Sequence, residues 1–350
     1  MSIEINDNRV LKDFKGITFS KFKKSEARKE LISCILNNKI ESSCFWCGEF
    51  ICSGHFLDLW DIILYVMSYN IHLANPKLPK YLDMRKDIFI NIINSGYDDN
   101  KLLLRNNNKI RRLFAEIMCV LCLSKKFNKY NVPKIKDNEY IIGNIGNLLE
   151  ADNITYAQNI YSKDDPKELF VCINEFVWNL KKKNMYKCCY WLEWLLGYEM
   201  KCIKNKLKYT AARRAMPVDN IYQKDIIWII WQILLNESNI INNGTNTIIM
   251  SLLNLFCLQY KSTYKRKRKY IIYNALSLIT QFYNTNIKIL NDNKIVNNVL
   301  NNINIVYKQI KKNEIKSKTD YLFNNNLMDK RKNLEKTLKR LDIMNKFNKI

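Results

Sequence analysis

The stretch Met185–Leu207, MYKCCYWLEWLLGYEMKCIKNKL, is apolar nearly all the way round when wound as a helix. Cys188, Trp191, Leu192, Leu195 and Cys202 fall on one stripe at helical spacing. Tyr190, Trp194, Leu196 and Tyr198 fill much of the remaining circumference. A helix of that kind must be contacted on several sides, so the pattern predicts a central helix wrapped by others. Eight glycines and five prolines in 350 residues are too few for the turns of many strands. The expected fold is therefore all-α: an irregular multi-helix bundle of two packed helical subdomains, sharing a core around Trp191, Trp194, Trp228 and Trp231.

Residues 1–20 read as a flexible lead-in, 21–160 as an N-terminal helical subdomain and 161–285 as a C-terminal helical core. Residues 286–350 read as an Asn-rich segment with a basic terminal helix. The periodicity predicts helices over Ser25–Leu36, capped by Ser25, and onward from His55. Gly48 and Gly54 predict a turn or broken helix between them. Pro76 and Pro79 predict an extended connector before a short helix at Asp83–Asn94, and Asn106–Ser124 follows. Asp164-Asp165-Pro166 predicts a helix start. Further helices are expected from Asp219, and over Thr247–Tyr260, Tyr264–Tyr283 and Leu327–Phe347. The longest apolar runs, Ile226–Leu235 and Ile248–Tyr260, fall well short of the roughly 20 residues that span a bilayer, so no transmembrane segment is expected.

Charge is unevenly placed. The chain carries 57 Lys+Arg against 33 Asp+Glu, a net of +24. Residues 201–350 hold 28 of the cations and only 9 of the carboxylates, a net of +19. Lys, Asn and Ile all have AT-rich codons, and genome composition could by itself raise their share. Self-repulsion of this size still favours an acidic partner, whether nucleic acid, an anionic membrane surface or an acidic protein. The charged N-terminus, MSIEINDNRVLKDF, has no apolar run of a signal peptide. With eleven cysteines scattered through apolar stretches, the expected setting is intracellular and reducing.

Three basic places stand out as nucleic-acid contacts. Lys265, Arg266, Lys267, Arg268 and Lys269 stand between Tyr264 and Tyr270 at a helix N-terminus. The helix dipole disfavours cations there, which suggests that they serve a partner. Arg213 and Arg214 precede Pro217 and could grip a phosphate or carboxylate. The last helix offers Lys330, Arg331, Lys332, Lys336, Lys339 and Arg340. Cations meeting a phosphate backbone release counterions and bind without reading sequence.

One constellation suggests a metal. Cys44, Cys47, Cys52 and His55 have spacings that suit zinc, and Cys119 and Cys122 form a second such pair. The competing reading is buried core thiols, with no cofactor. Glu49, Asp58 and Asp61 near His55 could bind a hard cation or do acid–base work, or simply favour a helix's early turns. No nucleophilic triad, phosphate-cradling glycine loop or dinucleotide motif is present, so no reaction can be named.

Six stretches, FWCGEFICSGHFLDLWDII, HLANPKLPKYLDMR, KIRRLFAEIMCVLCLSKK, DPKELFVCINEF, CYWLEWLLGYE and PVDNIYQKDIIWIIWQIL, lie within roughly residues 15–235. Together they resemble a conserved but functionally unassigned protein of giant viruses, the nucleocytoplasmic large DNA viruses related to mimiviruses. The resemblance implies synthesis in an infected cell and use in a cytoplasmic virus factory or in the virion. It carries over no catalytic residues. The expected function is non-enzymatic association with nucleic acid. The alternatives are a virion structural or assembly protein docking on acidic proteins, and a zinc-containing enzyme.

Overall fold

The computed structural model describes residues 3–97, 100–207, 209–241, 244–290, 293–315 and 337–338. Within them the chain forms α1 (Lys24–Leu36), α2 (Ile40–Cys52), α3 (Phe56–Val66), α4 (Leu78–Asn94), α5 (Asn108–Leu123) and α6 (Phe170–Lys181). It continues with α7 (Met185–Lys204), α8 (Ile227–Ile241), α9 (Thr245–Phe256), α10 (Tyr264–Lys267), α11 (Lys269–Thr280) and α12 (Asn293–Lys311). Among the described residues there is no strand, so the all-α expectation stands. The terminal basic helix expected over 327–347 lies outside the described residues, apart from 337–338.

Trp191, Trp194, Trp228 and Trp231 are all fully buried, as the apolar pattern demands. The hub, however, is α11 rather than α7. Every residue from Ile271 to Thr280 is buried, and α11 packs against α3, α6, α7, α8 and α9. Its sequence hides this because Asn274, Ser277 and Thr280 read as a polar face. Two of them are satisfied within the helix: Ser277 Oγ donates to the Asn274 carbonyl and Thr280 Oγ1 to the Leu276 carbonyl, both at 2.8 Å. α7 keeps one end open, with Met200 and Ile203 facing solvent.

The N-terminal helices α1, α2 and α5 pack together, and α12 returns from the far end of the chain to lie on α2 and α5. In the other direction α4 packs on α9. One continuous apolar cluster runs from Ile5 to Ile310 across residue 160.

Several local expectations need correction. α2 runs unbroken through Gly48, whose missing side chain is a gap filled by Ile310 and Tyr307 of α12. Gly54, at φ +75°, makes the actual turn. Pro79 opens α4 from its first turn instead of extending the connector, because the N–H that proline lacks is an orphan there anyway. Ser25 lies inside α1, with Lys23 at the cap. Asp165 does not start a helix either: α6 begins at Phe170, and the Asp165 carboxylate is engaged elsewhere.

Candidate functional site

The run 265–269 lies where α10 meets α11, and four of its five cations are held by carboxylates of the same chain. Lys265 is buried, and its Nζ contacts Glu199 Oε1 and both oxygens of Asp225, the latter at 2.8 and 2.9 Å. Tyr260 donates its hydroxyl to Asp225 at 3.0 Å. Arg268 is buried against Asp61, and its Nη1 also donates to the carbonyls of Phe256 and Leu258. Lys267 reaches Asp61 at 2.6 Å and Lys269 reaches Glu193 at 2.6 Å. Arg266 is the exception, donating to the Leu196 carbonyl and contacting Met200. The run is thus a five-pronged clamp from α11's N-terminus onto α3, α7 and the loop before α8. The dipole conflict seen in the sequence is resolved inside the molecule, by acids 40 to 207 positions away.

The arginine pair divides. Arg214 forms a buried two-pronged pair with Asp165, at 2.9 and 2.7 Å, and closes the 160–165 loop onto the segment before α8. Burial pushes the Asp165 carboxyl up, but Arg214 and the N–H groups of Ser162 and Ala212 outweigh it, so its pKa ends below the ordinary value. Arg213 is exposed and donates to Gln223 and Asn220 at 2.7 and 2.8 Å. Only Arg213 is placed to meet an outside partner.

The proposed zinc set is not assembled. His55 turns its Nε2 to the carbonyls of Phe14 and Ile17, at 3.0 and 2.8 Å. Cys44 meets Cys119 of α5, and Cys122 donates to Ser43 Oγ at 3.3 Å. Burial pushes the Cys122 thiol up to about 11 and raises Cys47 and Cys52 further. Among the described residues no three His, Cys, Asp or Glu side chains converge as ligands. The acidic trio is dispersed too. Glu49 accepts from Ser20, Asp58 pairs with Lys24, and Asp61 belongs to Arg268 and Lys267.

A recess of about 450 Å³ opens beside the clamp, between the end of α7 and the segments 209–210, 221–225 and 262–266. Its floor is Glu199, Asp225 and Lys265; Met200, Ile203 and Ile221 line it with apolar surface. The Tyr209 hydroxyl is buried there with no hydrogen-bond partner among the described residues. Burial raises the Glu199 pKa against the opposing pull of Lys265. On that floor the Lys265 Nζ is shared between the two carboxylates. Thr210, Ser262 and Thr263 also line the recess, and none hydrogen-bonds to either carboxylate. Sequence reasoning missed this recess because the two acids and the lysine of its floor come from three separate segments.

No family model, curated protein or solved structure matches the chain. No helix among the described residues is long and apolar enough to cross a membrane.

Proposed function

We propose that this is a non-enzymatic basic helical protein that associates with nucleic acid through surface cations other than the 265–269 run. One observation carries the reading. Among the described residues the interior takes eight carboxylates, from Asp7 to Asp225, but only six cations. Folding of these residues therefore sinks more negative than positive charge, so their surface keeps a positive excess. A surface so charged gains free energy by releasing counterions from a polyphosphate. The giant-virus resemblance fits use in a virus factory or virion.

The test is salt-dependent binding to non-specific DNA and RNA. Affinity should fall steeply and linearly on a log–log plot as salt rises. Absence of binding to both nucleic acids at low salt would defeat the reading.

A second reading is docking on an acidic protein during particle assembly. It is favoured by the apolar rim of the recess, where Ile203 and Ile221 are 58% and 77% exposed. High copy number in purified particles would support it.

A further inference from the structure

Between α5 and the first 3₁₀ turn of the 137–148 region, residues 125–136 form no helix or strand. The segment is nonetheless pinned along its length. The Phe127 N–H donates to the Asn70 carbonyl at 2.7 Å, and His72 Nε2 lies 2.9 Å from the Asn128 carbonyl. Tyr130 stacks on His72 at 4.4 Å and meets Ser277 of α11 through its hydroxyl. Val132 and Ile135 pack on the core.

With those groups turned inward, Lys125, Lys129, Lys134 and Lys136 are exposed, and none is in an ion pair among the described residues. Lys126 alone folds back, onto the carbonyls of Leu121, Cys122 and Ser124. Phe127 stands 44% exposed within the strip. Eleven residue steps at ~3.3 Å give at most roughly 36 Å of basic edge.

The strip adjoins an aromatic cluster. α3 passes into a π-helical turn, Met67–Ile71, which carries Tyr69. Tyr65, Tyr69 and Tyr270 are half-buried, with ring centroids 5.2, 4.4 and 5.8 Å apart. None of their hydroxyls has a hydrogen-bond partner among the described residues. Tyr69 touches Tyr130 of the strip at 6.3 Å, and the Arg28 guanidinium stands 5.8 Å from the Tyr65 ring centre.

We propose that the tyrosine cluster Tyr65–Tyr69–Tyr270 and the lysine edge of residues 125–136 together form a contact surface for single-stranded nucleic acid. This rests on the nucleic-acid reading above and gives it a place. An acidic protein would use the lysines and leave the rings idle. A bilayer would call for protruding Trp, Leu or Phe side chains rather than half-sunk tyrosines. A single strand uses both halves: phosphates meet the lysines and base faces stack on the rings. A duplex keeps its base faces stacked on one another and so cannot use the tyrosines.

The experiment is fluorescence anisotropy of the full chain with a labelled ~20-nucleotide poly-dT or poly-U strand and the matching duplex, over a salt series. One variant carries Lys125→Glu, Lys129→Glu, Lys134→Glu and Lys136→Glu. A second carries Tyr65→Leu and Tyr270→Leu, which keep apolar bulk. A third, at another exposed basic place, carries Lys181→Glu, Lys182→Glu and Lys183→Glu. Circular dichroism and melting confirm that each is folded. The lysine variant should reduce the salt slope by about 3, at ~0.7 per lost phosphate contact on a single strand. The tyrosine variant should lose about tenfold in single-strand affinity with its slope unchanged. Duplex affinity should not respond to the tyrosine change.

If wild type binds single strands but the lysine and tyrosine variants bind equally well, the surface is wrong and the general reading survives. The same holds if the 181–183 variant loses as much as the 125–136 variant. If wild type binds neither strand nor duplex at low salt, both fall. Capture by phosphatidylserine vesicles without any nucleic-acid binding would overturn both in favour of a membrane surface.

Discussion

Arg268 and Asp61 are 207 residues apart in the chain and 3.0 Å apart in the fold, with both side chains almost wholly buried. The pair ties the start of α11 to the middle of α3. Arg268→Ala would leave a buried carboxylate and the carbonyls of Phe256 and Leu258 short of a donor. Removing one member of a buried pair costs about 3–5 kcal/mol. Urea denaturation should show a loss of that order. Arg268→Lys should recover only part of it, since one ammonium cannot span the same three acceptors. A wild-type midpoint for Arg268→Ala would contradict the clamp.

Asp165 should shape the acid limb of stability. Its folded pKa lies below the ordinary 3.8, so the unfolded chain binds the proton more readily. The stabilisation is full above 3.8 and is lost as pH falls through the folded value. Asp165→Asn should be less stable than wild type at about pH 6, and the gap should narrow toward about pH 3. Urea midpoints at the two pH values check this; a constant gap would rule it out.

His72 predicts a second pH dependence, nearer neutrality. Burial lowers its pKa below 6.5, more than the hydrogen bond to the Asn128 carbonyl raises it. The fold favours the neutral ring, so this contribution is complete above 6.5 and declines as pH drops below it. Because His72 holds the 125–136 strip, hydrogen exchange at the Phe127 amide should quicken on mild acidification, beyond its intrinsic pH effect. His72→Phe, which keeps a ring against Tyr130, should abolish that extra response. An unchanged response in His72→Phe would place its origin elsewhere.

All eleven cysteines are buried and free. An aromatic disulfide reagent should therefore label the native protein slowly and label all eleven thiols once it is unfolded. Rapid native labelling of Cys47 or Cys52, both at or below 2% exposure, would mean that α2 is not packed as described.

Much of the helical layout is legible in the chain because it depends on short-range periodicity. α5 and α7 fall where their apolar stripes predict, and Trp228 and Trp231 are buried in α8. The misreadings share a cause. Gly48 looks like a break until α12 is seen to occupy its missing side chain. Asp165 looks like a helix cap until Arg214 is seen beside it.

The five cations at 265–269 make the division plain. Composition and apolar spacing alone determine that this chain buries tryptophan-rich helices and carries a large positive excess, since both are sums over residues or their immediate neighbours. Which cations remain available to a partner is decided only by folding. Charges interact over a few ångströms of space regardless of their separation along the chain, so Glu199, Asp225 and Asp61 claim a run that looked free, while Lys125, Lys129, Lys134 and Lys136 are left facing water.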